Sequence, residues 1–245
     1  GAGCADVEDP APPTPLAISS GGATVTFTLD PFSLRITGKD GASLLETATG
    51  AGVYGGAAAT VDTPYWTAQS LPGWDGYSAG EAPWTAATSA KILEKTGSTI
   101  QLALTGEGLD VVLTVEAAGD RVRIAFTATG TQGGQAPFNK TSLAFALDPK
   151  ERFFGLGERF GRLDHRGWSL YSWAEEGALG RGEDAPIEAQ NPYPNGPSMT
   201  YFPVPFYLSS RGYGVHLTTT YRTETHFGSE QGDAYRVAFN SPSLS

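Results

Sequence analysis

A chain of 245 residues, 40% of them hydrophobic, holds enough apolar material for one large β domain or two small ones, which excludes disorder of the whole. Its formal charge of −10, with no basic run, argues against a nucleic-acid partner, because phosphate recognition rests on clustered Lys and Arg. No run of about 18 apolar residues exists to span a membrane, and the single cysteine, Cys4, excludes an internal disulfide and any Cys-based metal cluster.

The chain opens on Gly1-Ala2-Gly3-Cys4, which resembles the end of a bacterial lipobox and makes Cys4 a candidate lipidation site. Asp6-Val7-Glu8-Asp9-Pro10, continuing to Pro15, is acidic and proline-rich, a composition that stays extended and solvated. Residues 1–19 therefore read as a flexible tether of an exported bacterial protein, periplasmic or cell-surface, anchored to the membrane through Cys4. The plainer alternative is a cloning scar followed by a disordered tail.

From residue 20 onward the pattern has period two. Val25, Phe27 and Leu29 alternate with Thr24, Thr26 and Thr28; Asp30-Pro31 breaks the run; Phe32, Leu34 and Ile36 then alternate with Ser33, Arg35 and Thr37. The same alternation runs through Ile100 to Leu104, Leu109 to Val115, Val122 to Phe126 and Leu143 to Leu147. Glycine turns separate these runs at about the 8–12-residue spacing of a sandwich. No apolar pattern of helical period competes, so residues 20–245 are expected to be all-β, as a two-sheet antiparallel β-sandwich.

One irregular region, Val61 to Trp84, gathers Tyr65, Trp66, Trp74, Tyr77 and Trp84 among prolines. Aromatics on a loop can stack on the apolar face of a sugar, and they can equally seal one end of a β core.

Chemistry-bearing residues are densest from Phe153 to Gly177. Arg152-Phe153-Phe154-Gly155-Leu156-Gly157 reads as a short strand entering a turn where a side chain would crowd the backbone. Glu158 and Arg159 follow, then Arg162, Asp164, His165 and Arg166 on a loop or irregular hairpin. Glu158 can pair with Arg159 or Arg166, and Asp164 can cap a turn. With three histidines, none in metal-ligand spacing, the sequence calls for no metal and no cofactor. It offers no Ser-His-Asp arrangement either. Farther on, Val204, Phe206 and Leu208, then Val215 and Leu217, then Tyr235, Val237 and Phe239 restore the strand pattern, while 221–224 and 228–230 read as strand and edge positions.

Phe154-Gly155-Leu156-Gly157-Glu158-Arg159-Phe160, Asp164-His165-Arg166-Gly167 and Pro203-Val204-Pro205-Phe206-Tyr207-Leu208-Ser209-Ser210-Arg211-Gly212-Tyr213-Gly214-Val215-His216 together resemble the amino-terminal, galactose mutarotase-like domain of glycoside hydrolase family 31. Asp30-Pro31-Phe32 and the Lys39-Asp40-Gly41 turn are similar to the start of that domain. Trp173-Ala174-Glu175-Glu176-Gly177 and Thr200-Tyr201-Phe202-Pro203 most resemble the sulfoquinovosidase-like branch, with Glu176 standing where a Gln is familiar.

The resemblance implies a retaining α-glycosidase such as an α-glucosidase, α-xylosidase or sulfoquinovosidase. Its two catalytic carboxyl groups, about 5–5.5 Å apart, lie on a (β/α)₈ barrel that follows the sandwich. No alternating β-α pattern occurs here, so no catalytic residue is assigned. The chain alone is expected to be inactive, with its barrel on a missing segment or another chain. The resemblance also implies a sandwich loop that forms part of the substrate wall, and 173–200 is the candidate. Within it Glu175, Glu176, Arg181, Asn191 and Tyr193 are candidate contacts for an α-linked oligosaccharide or glycoside, Arg181 through its guanidinium fork. Solvation of a flap is the alternative for the acids and Arg181. Glu158, Arg159, Asp164 and Arg166 are expected to be structural or interdomain. A free-standing carbohydrate-binding sandwich remains the rival reading. A mutarotase-like epimerase would need positioned His and Glu groups, for which His216 and His226 are the candidates.

Overall fold

The computed structural model describes residues 15–63, 80–134, 136–159, 161–172, 200 and 202–245, and the backbone of 65–68 and 75–78. Among these residues the chain is all-β apart from one 3-10 turn, Gly52–Tyr54, and its strands form five antiparallel sheets.

The first sheet is a meander of Leu16–Ser20, Ala23–Leu29, Phe32–Gly38 and Ser43–Glu46. Its opening strand corrects the tether boundary. Leu16–Ser20 pairs with Ala23–Leu29, and Ile18 is buried opposite Val25, so the fold takes hold at residue 16 instead of 20. The second sheet runs in the order Ala136–Pro137, Arg121–Gln132, Leu109–Ala118, Thr99–Gly106, Ser89–Thr96, and Ser243–Leu244 adds to the free side of Arg121–Gln132. Here alternation is obeyed: Leu109, Val111, Leu113, Val115 and Ala117 are buried while Asp110, Val112 and Glu116 face out.

The third sheet has the order Ser169–Ser172, Thr223–His226, Ala234–Phe239, Lys140–Ala146, Ala57–Thr60, Thr85–Ala86. Its inner strands are buried throughout except at Ala146, the last residue of Lys140–Ala146, so both faces are covered. Register puts Leu143, Phe145, Tyr235, Val237 and Phe239 on the face toward the apolar core. The opposite face carries Lys140, Glu224, His226 and Arg236 between the small residues Ala58, Ser142, Ala144 and Ala238.

Phe153–Gly155, Phe206–Ser209 and Tyr213–His216 make the fourth sheet, and Tyr65–Ala68 with Asp75–Ser78 the fifth. Val25, Leu34, Leu102, Leu113, Phe145, Phe153, Tyr207 and Tyr235, from the first four sheets, belong to one contiguous core.

One strand is turned over relative to expectation. Val204, Phe206 and Leu208 sit on the exposed side, and Tyr207 is fully buried. Tyr207 wins because its ring lies edge-on to Phe153 and Phe227 and its hydroxyl reaches the Tyr235 hydroxyl, a set of contacts that neither Phe206 nor Leu208 matches.

Candidate functional site

The turn after Phe153–Gly155 is held to the neighbouring segment by backbone hydrogen bonds. The Leu156 N–H donates to the Phe206 carbonyl at 2.8 Å and the Glu158 N–H to the Phe202 carbonyl at 3.1 Å. Gly155 and Gly157 have φ of +111° and +89°, and Leu156 between them is forced to +59° while its side chain is fully buried. A Cβ on Gly157 would collide with the Phe202 carbonyl and the Val204 nitrogen, so the spacing of the two glycines follows from the close approach of 202–206.

Behind the turn, Asp164 is an organiser. Its carboxylate accepts the Arg166 N–H at 3.0 Å, the Phe153 N–H at 3.3 Å and Arg152 Nη1 at 2.9 Å. Partial burial works against its charge, but the two backbone N–H groups and the Arg152 guanidinium outweigh it and hold the carboxyl below its usual range. Arg166 Nη1 donates to the Asp148 and Glu151 carbonyls at 2.8 and 2.9 Å. Arg159 donates to the Leu156 and Tyr171 carbonyls at 3.0 and 2.9 Å, and burial pushes its guanidinium down to about 10. Glu158 is exposed, and its carbonyl accepts the Thr200 hydroxyl at 2.6 Å. His165 is buried, with Nε2–H donating to the Gly155 carbonyl at 2.9 Å; burial lowers its pKa and keeps it neutral at pH 7. Arg152, Asp164, Arg166 and His165 thus brace the turn.

The polar face of the third sheet is a different matter. Lys140 Nζ donates to Glu224 Oε1 at 2.8 Å and to Glu81, with Asp62 at 3.9 Å. Arg222 pairs with Glu224 and lies over the Tyr171 ring at 4.2 Å. His226 Nδ1 is 3.0 Å from Glu230 and 2.8 Å from the Ser169 hydroxyl, and Arg236 grips Glu230 with two bonds of 2.8 Å. Tyr54 donates to Glu230 at 2.7 Å, and Trp84 Nε1 to Glu81 at 3.0 Å.

Burial opposes the charge of both glutamates, but their hydrogen-bond and ion-pair partners win. His226, Lys140 and Arg222 hold Glu224 far below the usual carboxylate range, and Arg236 with His226 and Tyr54 holds Glu230 at about 2. Burial and Glu230 together push the Tyr54 phenol well up. Carboxylates so committed are poor general acids and poor general bases near neutral pH. The face is suited to holding a fixed arrangement of charge rather than to proton transfer.

Comparison with known proteins places this geometry. Residues 5–225 match the family described as the glycosyl hydrolase 31 N-terminal galactose mutarotase-like domain. The chain belongs to that family. An α-xylosidase, XylQ, of Lactiplantibacillus pentosus is 31% identical over 107 residues, 44% of this chain and 12% of the relative. An isomaltosyltransferase of Sporosarcina globispora is 28% identical over 102 residues, 42% of this chain and 8% of the relative. The match thus spans about a tenth of the length of these curated relatives. Among solved structures, a family 31 sulfoquinovosidase from E. rectale in complex with an aza-sugar inhibitor superposes with a TM-score of 0.67 at 12% identity. That superposition covers 89% of this chain and 31% of the other, and it speaks for the fold.

For this family 31 domain, Cys4 and the substrate-side set Glu175, Glu176, Arg181, Asn191 and Tyr193 lie outside the described residues, as do the side chains of Tyr65, Trp66, Trp74 and Tyr77. Trp84 is described and is bound into the charged face through Glu81. Sequence reasoning missed that face. Thr223–His226 is a strand, inner in its sheet, and His226 lies beside Glu224 and Glu230 while His216 is exposed on the fourth sheet. The available signal was an arginine inside an otherwise apolar run, at Arg236; Lys140, flanked by Asn139, Thr141 and Ser142, gave none. Among the described residues no group of His, Cys, Asp and Glu is arranged to hold a metal ion.

Proposed function

We propose that this chain is the non-catalytic N-terminal part of a retaining α-glycoside hydrolase, packing on a catalytic barrel and lending it one wall of the substrate site. The family match across 5–225 carries the reading. In support, the carboxylates of the charged face are locked in ion pairs, unlike a nucleophile and acid poised across a glycosidic bond. Half-exposed Val204, Phe206 and Leu208 form an apolar stripe of the kind that a protein partner covers.

On this reading the sheets are the layers of one β-sandwich, and 173–200 is the substrate loop, with Glu175, Glu176, Arg181, Asn191 and Tyr193 facing an α-linked oligosaccharide or glycoside. Glu158, Arg159, Asp164 and Arg166 hold the turn next to that loop. Cys4 tethers an exported enzyme to the membrane, at the periplasmic or outer surface. The α-xylosidase, sulfoquinovosidase and isomaltosyltransferase names of its relatives frame the range of substrates.

The test is turnover of a panel of aryl α-glycosides by the whole enzyme and by this chain alone. Hydrolysis by the former and none by the latter is expected; a whole enzyme inert toward every α-glycoside would sink the proposal. Calorimetry with the corresponding sugars separates the rival, since a free-standing carbohydrate-binding sandwich would bind them unaided, whereas half of a shared pocket binds poorly.

A further inference from the structure

The second and fourth sheets present two backbone edges to one cavity. Strand Arg121–Gln132 pairs along its length with Leu109–Ala118 on one side. On its other side, among the described residues, it is covered only in part: Ala136–Pro137 takes Thr131 and Gln132, and Ser243–Leu244 takes Phe126 and Thr127. The Ala128 N–H donates across this second side to the Pro242 carbonyl at 2.8 Å. Because backbone groups of an antiparallel strand alternate in direction, Ile124 and Val122 aim their N–H and C=O the same way as Ala128. Among the described residues no strand meets them there.

The facing edge is Tyr213–His216. Its partner strand is Phe206–Ser209, and the Leu217 N–H donates toward that strand, to the Pro205 carbonyl at 2.8 Å. The Thr218 N–H points away from it and donates to the Ser245 carbonyl at 2.8 Å. By the same alternation Gly214 and His216 aim their backbone groups toward Ser245 and beyond, and among the described residues that edge is unpaired. Between the two edges lies a cavity of about 690 Å³, lined by Val122, Ile124, Gly214, Val215, His216 and Leu244.

The chain itself gauges the width of this slot. Ser243 and Leu244 pair with Thr127 and Phe126 on one side, and Ser245 accepts from Thr218 on the other, so at the mouth a single strand bridges both rails. We propose that the slot takes an extended strand from the catalytic part of the enzyme, in line with Ser243 and Leu244 and antiparallel to Arg121–Phe126, joining the second and fourth sheets into one. The inference rests on the function proposed above for its source of the strand. Recognition is by main-chain hydrogen bonds to Val122, Ile124, Gly214 and His216, the mode of β-strand addition. Register also sets the side chains. Positions opposite Ile124 and Val122 point into the core, as buried Leu244 does opposite Phe126, and must be apolar. Positions opposite exposed Arg123 and Arg121 face solvent and suit acidic or hydroxyl side chains.

Amide hydrogen exchange read by mass spectrometry, on this chain alone and on the whole enzyme, tests the proposal. In the whole enzyme the amides of Val122, Ile124, Gly214 and His216 are expected to exchange more slowly by about tenfold or more, with no comparable change at Arg123, already paired on its other side. Equal exchange at these four positions in both samples overturns it. So does slow exchange in this chain alone that appears only at concentrations where it dimerises, since the occupant is then a second copy. Turnover of an aryl α-glycoside by the same enzyme preparation reports separately on the proposed function, so either idea can fail without the other.

Discussion

Lys140 Nζ lies 2.8 Å from Glu224 Oε1, with the lysine side chain wholly buried and the glutamate 5% exposed. A pair this deep stabilises little relative to an apolar replacement, but removing one member leaves the other in a dry site with its charge out of balance, Lys140 keeping Glu81 and Glu224 keeping Arg222. Lys140→Met and Glu224→Gln are each expected to lower unfolding free energy by about 3–5 kcal/mol in urea titrations. The double variant should cost clearly less than the sum. Strict additivity would show that the two side chains do not depend on each other.

The same face sets the response to acid. Glu224 and Glu230 have folded-state pKa values depressed below the ordinary 4.5, so their contribution is complete above that value and is lost as pH falls toward their folded values, about 2 for Glu230 and lower for Glu224. From these two groups the melting temperature is expected to be level between pH 7 and 5, approximately, and to drop below about 4.5. Glu224→Gln should start lower and fall less steeply, because a neutral amide has no such proton to take up. An acid limb of unchanged slope in that variant would remove Glu224 from the account.

Gly157 tests the turn. A methyl group there meets the Phe202 carbonyl and the Val204 nitrogen, and φ of +89° strains any other residue. Gly157→Ala is expected to destabilise by about 3 kcal/mol, combining overpacking with backbone strain. Gly133→Ala, at φ +58° but with open space around it, should cost only about 1 kcal/mol. Equilibrium denaturation of the two variants checks the difference.

How far the fold was legible follows from these residues. Leu109 to Val115 announces its strand because one face is wet, and period two records the contrast. Gly155 and Gly157 announce their turn because the crowding is local to the backbone. Leu143 to Leu147 and Tyr235 to Phe239 announce their strands in the same way, but these strands are covered on the second face as well, and period two does not record that Lys140 and Arg236 are buried there. Their partners are far along the chain: Lys140 meets Glu81 across 59 residues, and Tyr54 meets Glu230 across 176. A single sequence does not encode which distant charges will share a face. The reversal at Phe206 and Leu208 has the same origin, since it is Phe153 and Tyr235 that draw Tyr207 inward.

If 173–200 is the substrate loop proposed above, Arg181→Ala in the whole enzyme should raise KM for an anionic or polyhydroxylated glycoside by about tenfold while kcat changes less, the pattern of a lost ground-state contact. Arg181→Lys should recover part of the loss, because charge survives without the planar fork. Steady-state kinetics on the three proteins decides it. An unchanged KM would return Arg181 to mere solvation of the loop.

Leu208 is half exposed opposite Gly214, next to Phe206 on the outer side of the fourth sheet. If a catalytic barrel covers this stripe, the side chain contributes little to the chain alone and much to the whole enzyme. Leu208→Thr is therefore expected to change the stability of this chain by no more than about 0.5 kcal/mol, the scale of ordinary surface substitutions. In the whole enzyme burial would be completed by the partner, and the same change should cost about 1.5–3 kcal/mol, the scale for an aliphatic side chain fully removed from water. The comparison needs only denaturation of two pairs of proteins. Equal effects in both would place the stripe in solvent throughout and direct the search for the barrel contact to another face.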